Sequence, residues 1–198
     1  GWGDVATIVP WQHYMAYGDK RILENQFPSM KAWVDFIVGQ CSEPYLWNTG
    51  WHYGDWLFYS VDNDTSGVSA VTYKPLIQQC FFANSADVTA KAAAVLGLEK
   101  EAAYYADVAA KAREAFCNAY LTPAGYLVSA TQTAYVLALN FDMLPEPMRP
   151  VVAARLADKV REYGHITTGF LGTPYICHVL SEWGYTDLAY MLLLRQQY

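Results

Sequence analysis

The chain has 198 residues, a hydrophobic share of 54% and a formal net charge of −6. That composition allows a sizeable core and argues against disorder. The acidic balance without a basic stripe argues against nucleic acid and an anionic membrane surface, and no apolar run reaches the length of a membrane span.

Apolar residues at helical spacing predict a first helix over 5–17, with Asp4 placed to cap it and Pro10 as a second possible start of its regular part. Tyr17-Gly18-Asp19 ends it. A second helix over 20–38 carries the stripe Ile22, Leu23, Phe27, Met30, Trp33, Val34 and Ile37, with a break or kink expected near Pro28. Residues 39–73 read mostly as one long loop, and long ordered loops usually carry function or move. Further helices are predicted over 75–96, 100–120, 131–141, 145–163, 174–183 and 186–196. No segment alternates convincingly with period two; 125–129 comes nearest. The fold class is therefore all-α, with about eight helices.

These helices read as pairs. Links within pairs are short: Tyr17 to Lys20, Leu96 to Lys100, Met143 to Glu146 and Trp183 to Thr186. Links between pairs are longer and carry aromatic and polar groups. In a stack of antiparallel pairs such links fall at one end, together with free helix N–H groups. That end would gather Trp2, Asp4, Trp51, His52, Tyr53, Asp55, Trp56, Gln132, His165, Thr167 and Thr168. The odd helices are more uniformly apolar than the even ones, which suggests an inner and an outer ring, a helical toroid. Four pairs would form an open arc with exposed apolar flanks, covered by missing parts of the same domain or by self-association.

The densest chemistry lies in Gly50-Trp51-His52-Tyr53-Gly54-Asp55-Trp56-Leu57. Seven Trp and 16 Tyr in the whole chain suit a wet, concave site, because both side chains have polar tips. Aromatic faces beside a carboxylate fit a sugar ring; the same residues also fit a loop that plugs a core. Asp4 reads as a sugar ligand or a helix cap. Asp55, between Gly54 and Trp56, is harder to explain as a cap. His52 and His165 fit sugar donors or structural histidines, whereas His13 and His178 lie on helices and read as structural. Glu43, Asp62 and Asp64 read as solvated or turn-forming. Cys41, Cys80, Cys117 and Cys177 form no metal-binding cluster, and three of them sit in apolar helical patterns as small buried side chains. No motif implies a metal or organic cofactor; calcium at Asp62-Asn63-Asp64 is the nearest alternative.

Several motifs in order carry a resemblance. Gly1-Trp2-Gly3-Asp4-Val5-Ala6 with Ile8-Val9-Pro10-Trp11, Tyr17-Gly18-Asp19, Pro28-Ser29-Met30-Lys31-Ala32-Trp33-Val34, Tyr53-Gly54-Asp55-Trp56-Leu57 and Thr168-Gly169-Phe170-Leu171-Gly172-Thr173-Pro174 resemble the catalytic domain of bacterial α-L-rhamnosidases of family 78 glycoside hydrolases, over essentially the whole chain. The resemblance implies that residues 1–198 are part of an (α/α)6 barrel, about four of six helix pairs. It implies inverting hydrolysis of terminal α-L-rhamnose from glycosides. The family's general acid and base are glutamates in motifs before the segment matching Gly1 and after the segment matching Tyr198; neither motif is in this sequence. What carries over is pocket wall: Trp2, Asp4, Asp55, Trp56, less directly Trp51, and the Thr168–Thr173 loop, with Tyr53 and His165 beside them. Another α-toroid glycosidase and a non-catalytic carbohydrate-binding or interaction module remain as alternatives. Compartment is left open: the resemblance favours a periplasmic or extracellular setting somewhat, with a cytoplasmic one as the alternative.

Overall fold

The computed structural model describes residues 1–59 and 70–196. The described residues form eight α-helices: α1 Val5–Tyr17, α2 Lys20–Gln40, α3 Lys74–Val95, α4 Glu99–Tyr120, α5 Gln132–Asn140, α6 Arg149–Tyr163, α7 Thr173–Glu182 and α8 Thr186–Leu194. A 3₁₀ turn, Glu146–Met148, leads into α6. The only β pairings among the described residues are isolated bridges, Glu43 with Leu46 and Leu121 with Leu127. The second falls where the sequence comes nearest to a strand. Asp62, Asn63 and Asp64 lie outside the described residues.

Neither Pro10 nor Pro28 starts or ends a helix. Pro10 lies inside α1, which already begins at Val5, and α2 continues through Pro28. A proline removes one N–H and crowds the preceding turn. In α2 the buried stripe Leu23, Phe27, Met30, Val34 and Ile37 keeps a 4-3-4-3 spacing across Pro28, so packing holds the helix together. Asp19 caps α2, accepting from Arg21 N at 3.0 Å.

The chain divides into two compact units. One contains Gly1–Trp51 and Gln78–Phe116. Here α1 packs along α2. Gln79, fully buried, ties the loop after α2 to the helices: its Nε2 donates to Tyr45 O (2.7 Å) and Ala112 O (2.8 Å), and its Oε1 accepts from Trp47 N (2.8 Å). The other unit contains His52–Ile77 and Cys117–Tyr198. In it α5 packs on α6 and α7, and α7 on α8. Residues Gln132–Leu139 of α5 are all buried, the signature of a helix enclosed on every side.

The odd helices are not uniformly enclosed. α3 and α5 are buried nearly all round, but in α1 only Thr7 and Pro10 are buried, and Val5, Val9, Met15 and Tyr17 face solvent. On α8 Tyr190, Leu193 and Leu194 are likewise exposed. Of the cysteines only Cys80 is fully buried; Cys41, Cys117 and Cys177 are half-buried and none is in a disulfide. No helix among the described residues is long and apolar enough to cross a membrane.

Candidate functional site

In the first unit Asp4 occupies the N-cap position of α1, but its side chain does not cap the helix. The carboxylate is fully buried and points inward. Its Oδ1 accepts from Trp33 Nε1 at 2.9 Å and from Ser85 Oγ at 2.7 Å, and its Oδ2 lies 2.8 Å from the Gly1 amino nitrogen. Burial by itself would raise the Asp4 carboxyl. The donors on Trp33 and Ser85 act against burial and pull it back down. Ser85 Oγ also shares a 2.7 Å hydrogen bond with Thr7 Oγ1. Gly3 lies against the Trp33 indole: a Cβ there would run into Cη2 and lie 2.6 Å from Cζ2. The small residue, the indole and the carboxylate therefore fix one another. Trp2, beside them, is 41% exposed, and Trp51, at the end of this unit's first stretch, is 73% exposed.

The second unit repeats the arrangement with other parts. Asp55 is buried. Its Oδ2 accepts from Gly169 N at 2.7 Å and from Thr133 Oγ1, and its Oδ1 accepts from Leu171 N at 2.8 Å. A carboxylate has about four acceptor positions, so most of this one is committed inside the protein. Two backbone bonds run beside it: Phe170 N donates to Trp56 O (2.9 Å) and Tyr59 N to Thr167 O (3.0 Å). Gly169 is required by the close approach. A Cβ there would collide with Trp56 O and lie 2.7 Å from Asp55 O and 2.8 Å from Asp55 Oδ1.

The Thr168–Thr173 loop is held from behind as well. Gln132, at the start of α5, donates through Nε2 to His165 O (3.0 Å) and accepts through Oε1 from Thr167 N (2.9 Å). Thr168 Oγ1 and Thr173 Oγ1 share a hydrogen bond of 2.7 Å. His165 packs edge-on to Tyr59 with centroids 4.5 Å apart, and its Nδ1 lies 3.0 Å from Ile166 O. His52 is buried and accepts at Nδ1 from Gly54 N (2.8 Å), which favours the neutral ring with its proton on Nε2.

Over this frame Tyr53 and Trp56 stack with centroids 5.3 Å apart and planes 18° from parallel. They remain 49% and 50% exposed. The segment therefore divides its chemistry: the carboxylate faces in and holds backbone, while the stacked rings stay half exposed. Asp55, Tyr53, Trp56, His165 and Thr168 lie in this unit, and Asp4, Trp2 and Trp51 belong to the other. Sequence reading missed Thr133 and Gln79. Gln79 had a signal, a polar residue inside the apolar run Leu76–Ala83. Thr133 had none beyond following the helix cap Thr131. No group of three His, Cys, Asp or Glu residues among the described ones is placed to hold a metal.

Comparison with known proteins bears on this arrangement. Residues 1–198 match the family model of the bacterial alpha-L-rhamnosidase 6 hairpin glycosidase domain. An alpha-L-rhamnosidase of Streptomyces avermitilis is 40% identical over 194 residues, which is 98% of this chain and 18% of the relative. One from Formosa agariphila is 40% identical over 208 residues, 100% of this chain and 21% of the relative. The chain thus spans about a fifth of these curated relatives. Among solved structures, the S. avermitilis alpha-L-rhamnosidase complexed with L-rhamnose superposes with a TM-score of 0.88 at 38% identity, covering 98% of this chain and 18% of that one. The native enzyme of Aspergillus terreus gives 0.90 at 32% identity, covering 99% and 23%. The chain belongs to the bacterial α-L-rhamnosidase six-hairpin glycosidase family.

Proposed function

We propose that the protein containing this chain hydrolyses terminal α-L-rhamnose from glycosides with inversion, and that these residues line the sugar pocket while the catalytic glutamates lie elsewhere in the protein. The observation that carries the reading is the Tyr53–Trp56 stack, half open to solvent on a backbone that Asp55 locks. A sugar presents C–H faces to such rings. The relatives' identity as alpha-L-rhamnosidases supports the substrate class. Asp55 and Asp4 serve here as positioning residues, because their oxygens are engaged with the protein's own donors.

The test uses the intact protein on a panel of aryl glycosides, with the first-released anomer followed by NMR. Turnover of the α-L-rhamnoside with inversion is expected. Trp56→Ala should raise KM about tenfold, the size of one aromatic stacking contact. Preference for a glucoside or fucoside would favour another toroid glycosidase, and binding without turnover a non-catalytic module. Turnover by residues 1–198 alone would overturn the placement of the catalytic pair.

The reading also accounts for the exposed apolar residues of α1 and α8, which the remaining hairpins of the same domain would cover. Isolated residues 1–198 should then self-associate; a clean monomer by light scattering would count against it.

A further inference from the structure

In the first unit α2 and α4 enclose an open cleft of about 390 Å³ that shares no residue with the Asp55 surface. Its volume lies within the range of small-molecule pockets, roughly 300–1,000 Å³. Lys31, Asp35 and Val38 line it from α2, at positions that share one helical face. Lys100, Glu101, Tyr104 and Tyr105 line it from the first two turns of α4.

Lys91, Lys111 and Lys159 each pair with an acid within 2.7 Å. Lys31 and Lys100 form no ion pair among the described residues, although Asp35 and Glu101 are close in sequence. Tyr105, buried, donates its hydroxyl to Asp35 Oδ1 at 2.8 Å and so fixes that carboxylate at the cleft wall. Burial, and then this bond, push the Tyr105 phenol up, so it stays a donor. Tyr104 is held edge-on by Tyr105, with centroids 5.0 Å apart, and remains 47% exposed.

Two ammonium groups and two carboxylates leave the cleft with no net charge. A strong anion would meet Asp35 and Glu101, and a cation would meet the lysines. Alternating donors and acceptors beside an available aromatic face match a neutral polyol. We propose that this α2–α4 cleft is a second carbohydrate site, which takes a neutral saccharide unit with its hydroxyls on Lys31, Lys100, Asp35 and Glu101 and its C–H face on Tyr104.

The test titrates the intact protein, with methyl α-L-rhamnopyranoside and methyl α-D-glucopyranoside as probes, by saturation-transfer NMR and calorimetry. Tyr104→Ala should weaken one class of sites about fivefold or more and leave glycosidase turnover unchanged. Tyr104→Phe, which keeps the ring, should retain binding. Trp56→Ala should leave this class of sites intact, which separates the proposal from that for the Tyr53–Trp56 surface. Absence of any saccharide binding sensitive to Tyr104→Ala would overturn it. So would displacement of the saccharide by inorganic sulfate, which would mark an anion site.

Discussion

Asp4 and Asp55 are both buried carboxylates within two residues of a solvent-facing tryptophan, yet they are held by different kinds of donor. Side chains grip Asp4: the Trp33 indole and the Ser85 hydroxyl, both on helices. Loop backbone grips Asp55, through the amides of Gly169 and Leu171, with only Thr133 contributing a side chain. The helices that carry Trp33 and Ser85 have a stable shape without Asp4. The loop around Gly169 is irregular backbone that gives two of its amides to Asp55, beside the bonds it makes with Gln132 and Trp56, so Asp55 and the loop define each other. Removing the first carboxylate loosens a tryptophan; removing the second frees two loop amides.

Mutations at the two centres test this difference. The largest effect is expected at Gly169→Ala, where the obstacle is the backbone oxygen of Trp56 and cannot rotate away. Overpacking with lost hydrogen bonds should cost about 3 kcal/mol in equilibrium unfolding. Gly3→Ala meets a tryptophan ring, which can tilt, and should cost about 1–2 kcal/mol; equal losses would erase the distinction between backbone and side-chain obstacles. Asp55→Asn follows. Its amide must turn an NH₂ toward Gly169 N or Leu171 N, so a buried donor is left unpaired at about 2–3 kcal/mol. The smallest loss is expected for Asp4→Asn, about 1 kcal/mol: the carboxamide oxygen still receives both Trp33 and Ser85, and only the contact with the half-buried Gly1 nitrogen is lost. A larger loss at Asp4 than at Asp55, by urea midpoint, would reverse the ranking.

Much of the fold was legible because helix formation depends on local patterns. The stripe on α2, the Asp19 cap and the left-handed glycine after α1, Gly18 at φ 67°, are all visible in neighbouring residues. A break at Pro28 does not occur, because the buried stripe of α2 carries the helix through it; Pro10 lies in an α1 that buries only Thr7 and itself, so its continuity has no such account. The site was legible in its residue types and not in its directions. Asp55 bonds to amides 114 and 116 residues away, and no spacing rule shows that a carboxylate flanked by Gly54 and Trp56 turns inward. Asp4 was read as cap or ligand; the geometry makes it the partner of an indole 29 residues on. Tyr53 and Trp56 are half exposed, and composition alone had no means of picking them out from the other aromatic residues.

The amides of Trp47, Thr167, Gly169 and Leu171 all lie outside helices, yet each donates to a buried side chain: Gln79, Gln132 or Asp55. Hydrogen–deuterium exchange at such positions follows the opening of the partner side chain, not the irregular backbone around it. These loops should therefore exchange on the slow timescale of the helices behind them, so that protection mapped along the chain would pick out the buried glutamines and aspartate by the amides they guard.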